Sequence, residues 1–291
     1  METGYQQFQL PSPTHSLSNF HPQVWIKRDD LIHPFVSGNK LRKIHYHAKE
    51  ARQMGLHELV SYGGYYSNHL LALAAYGAQN NFKTNGMVKG EKPRKINAVL
   101  KLCDLFGMKL TFLKRQDFLK QKNYYGKLGR LYHIPEGGAT DLGMLGCQEI
   151  IEELSTEFEH IVVPVGTGTT LAGILSAMEK KKWEGKVHGV CVVNEKEEIK
   201  TFVQKYSKKN FQFCHYNSFG KLKDKEVEIV KEVMQKEGIL LDPIYGVKAM
   251  HFLKKSLEAG NFEKGQKILF VHTGGKTGWL SEKMSQHLLN A

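Results

Sequence analysis

Lys40 occupies a setting that calls for a chemical explanation. It lies in Ser37-Gly-Asn-Lys-Leu-Arg-Lys43, where a turn opens a helix at or near the lysine. A cation in a first helical turn is disfavoured by about 0.3–1 kcal/mol through the helix dipole, and Arg42 and Lys43 follow at once. Something negative or covalent must compensate. A lysine crowded by cations and partly desolvated has its pKa lowered toward neutrality, the state a Schiff-base lysine needs. The plain alternative is a row of exposed basic side chains on an amphipathic helix.

Two further stretches place polar groups at helix starts. Ser61-Tyr-Gly-Gly-Tyr-Tyr-Ser-Asn-His69 follows an expected strand and precedes the apolar run Leu70 to Ala75. Gly63 and Gly64 permit a tight turn, and Ser67 or Asn68 can cap the helix, whose free backbone N–H groups suit a carboxylate. Val163-Pro-Val-Gly-Thr-Gly-Thr-Thr-Leu-Ala-Gly173 is more specific. A buried strand runs into glycines and threonines and then a helix, so backbone N–H groups, hydroxyls and a helix dipole form a nest for a phosphate. Gly-Lys-Ser/Thr is missing, so it is not a Walker loop, and it lacks both the G-x-G-x-x-G spacing and the ribose-binding acid of a dinucleotide site. A monophosphate ligand fits best; a simple structural turn is the alternative.

Leu241-Asp-Pro-Ile-Tyr-Gly-Val-Lys248 leads into a helix, and Phe270-Val-His-Thr-Gly-Gly275 ends a strand. Taken singly, Tyr245 reads as a packing aromatic and His272 as a satisfied core histidine. Their weight comes from company.

Positioning these residues requires a large alternating fold. The chain has 291 residues and is 41% hydrophobic, enough for one large α/β domain or two lobes sharing a cleft. Short apolar runs alternate with helical-period segments, which predicts parallel sheets with crossover helices. Expected strands are 24–27, 58–62, 83–88, 109–113, 161–165, 187–193 and 267–272. Several are apolar throughout, as in strands covered on both faces. Helices are expected to begin near Lys40, Asn68, Arg94, Leu145, Thr170, Lys225, Tyr245 and Thr277. The segment 116–135 reads as an irregular connection between lobes. The chain divides into residues 1–43 with 135–291 as a large domain, and 44–134 as a small one.

Composition narrows the function. The four cysteines, Cys103, Cys147, Cys191 and Cys214, form no C-x-x-C pair, so reduced, mostly buried thiols and no metal site are expected. The net charge of +12 is dispersed, with its densest run at Glu179-Lys180-Lys181-Lys182, so nucleic-acid binding is not expected. No run reaches the roughly 20 apolar residues of a membrane span, and the N-terminus lacks the blocks of a secretory signal. A soluble, cytoplasmic protein is expected.

Together, Ser37-Gly-Asn-Lys-Leu-Arg-Lys43, Gly64-Tyr-Tyr-Ser-Asn-His69, Val165-Gly-Thr-Gly-Thr-Thr170, Asp242-Pro-Ile-Tyr245 and His272-Thr-Gly-Gly275 resemble the D-cysteine desulfhydrase and 1-aminocyclopropane-1-carboxylate deaminase family. Its members are tryptophan-synthase-β-like, fold-type II pyridoxal-phosphate enzymes. The motifs occur in the family's order from Val24 to Gly275. The resemblance implies a two-lobed α/β fold with parallel sheets, pyridoxal 5'-phosphate between the lobes, a homodimer, and a small amino-acid substrate. Lys40 would bond the cofactor covalently and, once released, move the α-proton. Gly166, Thr167, Gly168, Thr169 and Thr170 would hold the phosphate, with Lys43 adding charge. Asn68 would meet the phenolic oxygen and Thr273 the pyridine nitrogen. Ser67, with backbone groups of Asn68 and His69, would hold the substrate carboxylate; Ser67 could also move a proton. Tyr245 would sit beside the substrate's reacting end. The N-terminal arm is shorter than the family's, which bears on the dimer contact.

One departure separates the family's branches. Deaminase-type members resemble Asp-Pro-Val-Tyr-Glu, whereas Gly246 follows Tyr245 here. A carboxylate in that place keeps the pyridine nitrogen protonated and the ring a strong electron sink. Thr273 alone would leave the ring largely neutral and favour elimination of a good β leaving group. His69 also resembles the desulfhydrase branch, where deaminases tend to carry glutamine. The expected reaction is α,β-elimination from a D-amino acid such as D-cysteine. Ring-opening deamination of the cyclopropane amino acid is the second reading, and a non-catalytic cofactor or ligand carrier the third.

Overall fold

The computed structural model describes residues 7–36, 38–216, 220 and 222–289; Ser37, expected in the lysine-bearing turn, lies outside them. Two sheets organise the chain. The first is ordered β1 (Thr14–Ser16), β2 (Val24–Arg28), β11 (Ile268–His272), β8 (His160–Val165), β9 (Lys186–Cys191) and β10 (Phe211–His215). All its pairings are parallel except β1 with β2. The second is ordered β5 (Lys109–Leu113), β4 (Lys83–Lys89), β3 (Glu58–Gly63), β7 (Leu131–Ile134) and β6 (Gly126–Leu128), parallel but for the β6–β7 hairpin. The helices are α1 (Asn39–Gln53), α2 (Asn68–Gln79), α3 (Ala98–Leu105), α4 (Arg115–Gln121), α5 (Asp141–Glu152), α6 (Thr169–Lys180), α7 (Lys196–Gln204), α8 (Asp224–Glu237), α9 (Gly246–Glu258) and α10 (Glu282–Leu289).

The continuous apolar strands are explained by which core each residue enters. In β11, Leu269 and Val271 pack with α5 and α6, while Ile268 and Phe270 face α8 and α9. In β8, Val163 and Val165 join the first of these cores and Val162 the second. A strand buried on both faces has no polar phase, so the period-2 signal vanishes. The second sheet has its own core, in which Leu41, Ile44 and Ala48 of α1 meet Leu70 to Ala75 of α2.

The expected strands are all present; the differences lie elsewhere. The segment 116–135 is not an irregular connection, since it contains most of α4 and the whole β6–β7 hairpin. The helix expected near Arg94 starts at Ala98 because Asn97 caps it, its side chain accepting from Leu100 N at 3.0 Å. That expected near Leu145 starts at Asp141, capped by Thr140 through Gly143 N at 3.0 Å. Near Thr277 the chain makes a single tight turn, Thr277–Leu280, before α10.

The basic run on α1 is interior. Arg42 has no exposed surface and Lys43 is 2% exposed, which overturns the reading of an exposed basic face. Arg42 donates to both oxygens of Asp29 at 2.8 and 2.9 Å, to Glu153 at 2.8 and 2.9 Å, and to Glu149 at 3.2 Å. Lys27 joins Glu153 at 2.6 Å, and Ser12 Oγ donates to Asp29 at 2.6 Å. This network fastens the first turn of α1 to the end of β2 and to α5. Removing one partner strands the others' charges in low dielectric. Arg42→Ala should therefore lose about 3–5 kcal/mol, measured as a lowered urea midpoint with the slope unchanged.

Candidate active site

The loop from β8 into α6 is open to a ligand. Gly168 adopts φ +82, a left-handed conformation suited to glycine, and no side chain caps the helix that follows. Thr167 Oγ1 and Thr169 Oγ1 lie 2.9 Å apart. A Cβ on Gly166 would sit 3.2 Å from the ring of Tyr245, so the tyrosine, at the start of α9, closes one side of the loop.

Lys40 reaches this loop through its neighbour. Asn39 donates from Nδ2 to Thr170 Oγ1 at 2.8 Å, while its Oδ1 accepts from the Lys40 amine at 3.0 Å. One amide thus ties the amine to the anion cradle. The same turn is fitted to the end of β11: Asn39 N donates to Thr273 O at 3.2 Å, and a Cβ on Gly38 would fall 1.8 Å from that oxygen. Only glycine permits this approach.

The electrostatics favour a reactive amine. Burial, and next the charge of Lys43, lower the pKa of Lys40 to about 7, against the opposing influence of Cys147 and Asp242. Burial lowers Lys43 as well; its ammonium donates to Gly137 O at 3.2 Å, in a turn packed against Thr167.

On the other wall, Ser67 caps α2 by accepting from Leu70 N at 3.2 Å. Asn68 Oδ1 accepts from Thr277 N at 3.2 Å, and Thr277 Oγ1 donates to Tyr66 O at 2.7 Å. These bonds staple the start of α2 to the segment after β11 and orient the Asn68 amide. His69 turns its ring toward β3. Ser61 Oγ donates to Ile134 O at 2.8 Å, so it accepts from His69 Nε2–H at 2.9 Å, which leaves Nδ1 as a buried lone pair without a partner among the described residues. Burial keeps this imidazole neutral, its pKa well below the ordinary value.

His272 is a satisfied core residue, donating to Leu240 O at 3.2 Å and accepting from Gly274 N at 3.2 Å. Thr273 is half-buried at the strand end beside Gly38. Tyr245 is pushed above the ordinary tyrosine range by burial and by Asp242. Asp242 Oδ1 accepts from the backbone N–H of Ile244, Tyr245 and Gly246 at 3.0, 2.5 and 3.3 Å.

The structure therefore brings Lys40, Lys43, the 166–170 loop, Asn68, Thr273 and Tyr245 into one region, with Ser67 and His69 at its edge. Sequence reading missed Asn39 and gave Asp242 no role. The position of Asn39 directly before the lysine was a signal for the first; for the second only an Asp-Pro turn was visible.

A family model described as pyridoxal-phosphate dependent enzyme matches residues 5–274. The chain belongs to that family. Among similar proteins, this pyridoxal-phosphate enzyme is 30% identical to a bifunctional D-cysteine desulfhydrase/1-aminocyclopropane-1-carboxylate deaminase of Arabidopsis thaliana, over 95% of this chain and 79% of the relative. It is 30% identical to a putative 1-aminocyclopropane-1-carboxylate deaminase of Thermotoga maritima, over 94% of this chain and 96% of that one. A crystal structure of an ACC deaminase homologue superposes with a TM-score of 0.84 at 25% identity, covering 98% and 95% of the two chains. A fungal L-serine ammonia-lyase from Rhizomucor miehei shares the fold, with a TM-score of 0.74 at 13% identity. The two-lobed, fold-type II architecture accommodates the cofactor's demands on the residues present: an amine of lowered pKa, an uncapped helix start for a phosphate, and unpartnered buried polar atoms nearby.

The amine reacts only when neutral, and its neutral form is favoured by the fold. Acylation of Lys40 by a limiting amine-directed reagent should rise with pH through about 7 and then level off, while exposed lysines keep rising to about pH 10. Peptide mass spectrometry of apoprotein labelled across that range checks this.

Proposed function

We infer that this protein is a lyase that carries out α,β-elimination on a small D-amino acid, converting D-cysteine and water to pyruvate, ammonia and hydrogen sulfide. The observation that carries the reading is the Asn39 bridge, which joins a lysine amine of lowered pKa to the loop built for an anion.

The bound cofactor supplies an electron sink for the carbon that loses its proton. The protein's residues do the rest. Lys40 would hold the cofactor through its amine, and the same amine, poised near neutral pH, would take the α-proton of the substrate. Gly166, Thr167, Gly168, Thr169 and Thr170 hold the phosphate, with Lys43 adding positive charge behind them. Asn68, oriented by Thr277, would hold the cofactor at its phenolic oxygen, and Thr273 would hold it at its ring nitrogen. Ser67 and the backbone N–H groups of Asn68 and His69 hold the substrate carboxylate at the start of α2. Tyr245 faces the reacting end. Residues 44–134 form the smaller lobe in this reading, with α1 crossing between lobes.

His69, which resembles the desulfhydrase branch, and Gly246, which departs from the deaminase pattern, support elimination over ring opening. Packing does not impose the glycine, because a Cβ at 246 would meet Asp242 Cβ at 3.5 Å and Leu241 Cβ at 3.9 Å, both ordinary contacts. Ring-opening deamination is the second reading: the similar Thermotoga protein is named for it, and the similar plant protein for both activities.

Protein reconstituted with pyridoxal phosphate should show a visible band that Lys40→Ala abolishes, and should release pyruvate and sulfide from D-cysteine. Formation of 2-oxobutyrate from 1-aminocyclopropane-1-carboxylate, with D-cysteine untouched, selects the second reading. The band without turnover of any D- or L-amino acid marks a carrier. Thr170→Val, which removes the hydroxyl that anchors Asn39, should weaken cofactor binding about tenfold, the equivalent of one hydrogen bond at about 1.4 kcal/mol; fluorescence quenching on titration measures it.

A further inference from the structure

A cavity of about 600 Å³ opens where β10, α8 and α9 meet. Its walls are His215 and Tyr216 at the end of β10, residues 223–225 at the start of α8, and His251 and Lys255 of α9. None of these belongs to the site read for the cofactor. The size is that of a small-molecule site, roughly 300–1,000 Å³. Lys223, Lys225 and Lys255 stand against a single carboxylate, Asp224, and none of the three lysines is in an ion pair among the described residues. The positive end of the α8 dipole adds to their field.

Exposed lysines alone make an ordinary surface; His251 sets this cavity apart. It is 7% exposed. Its Nδ1 lies 2.6 Å from Tyr216 Oη. Burial pushes the Tyr216 hydroxyl up to about 12, so it keeps its proton at neutral pH and donates it to Nδ1. The ring's own proton is then on Nε2. Nε2 has no hydrogen-bond partner among the described residues. The ring nitrogens sealed from solvent without a partner are His69 Nδ1 and His133 Nε2, so His251 Nε2 is reached from the cavity that its ring lines. Burial, and next Lys255 of α9, hold the imidazole neutral; Lys225 of α8 acts in the same sense, against Glu226 of α8 and Glu258 of α9. A second hollow, of about 350 Å³, has as many lysines in Lys200, Lys208 and Lys209, but its buried hydroxyl, Ser207, already donates to Glu179 at 2.6 Å.

We propose that the larger cavity is an anion site separate from the cofactor's, binding a small phosphorylated molecule by its phosphate. A phosphate monoester carries about −1.5 to −2 charges at pH 7, which matches three ammonium groups offset by one carboxylate. The Nε2–H of His251 fixes one of its oxygens, and the remaining volume takes the rest of the molecule. His251 lies six residues along the chain from Tyr245, about 9 Å of helix rise, so α9 borders both sites.

The test uses holoenzyme, its cofactor cradle filled and excess pyridoxal phosphate removed. Calorimetric titration with inorganic phosphate and with glycerol 3-phosphate should show one equivalent of either bound per chain. Lys223→Ala with Lys255→Ala should weaken glycerol 3-phosphate binding at least tenfold. His251→Phe, which keeps the ring and removes the N–H, should weaken it at least fivefold. Lys200→Ala with Lys208→Ala, in the smaller hollow, should bind as wild type does. Failure to bind either probe overturns the proposal, as does binding of inorganic phosphate with glycerol 3-phosphate excluded. Equal weakening by the two lysine pairs marks diffuse attraction to a basic surface and also overturns it, and so does wild-type affinity in His251→Phe. Should that variant fail to fold, the lysine pairs, all on surface positions, decide the question alone. No arm measures amino-acid turnover, so this proposal and the lyase reading fail separately.

Discussion

Three cations enter the first turn of α1, where the helix dipole and the low dielectric of the interior both oppose them. Each is handled differently. Arg42 is neutralised by Asp29, Glu149 and Glu153, which also fasten the turn to β2 and α5. Lys43 is buried with its ammonium on Gly137 O and, among the described residues, in no ion pair, so it remains a source of positive potential. Lys40 bears the consequence: in the field of Lys43 and out of bulk water, it gives up its proton near neutrality. The site's reactive group is thus a by-product of how its neighbours are held.

Much of this was legible in the residues. The lysine turn, the glycine-threonine loop and the strand ends were visible because each pairs a special backbone requirement with a polar cluster, and their order along the chain carried the family. The interior strands were legible because strands covered on both faces are apolar throughout. Short edge strands such as β1 and β10, and the β6–β7 hairpin, were not, since three to five residues with mixed burial leave no period to detect. The burial of Arg42 was hidden too. Its partners lie 13, 107 and 111 residues away, and no local pattern encodes them.

The pair of bonds from Thr277 to Asn68 and Tyr66 links the segment after β11, in one sheet, to the start of α2, beside the other. With that edge pinned, the sheets cannot part there without breaking both bonds. Holding that edge shut and holding the Asn68 amide in one orientation are therefore the same event, since one backbone N–H serves both.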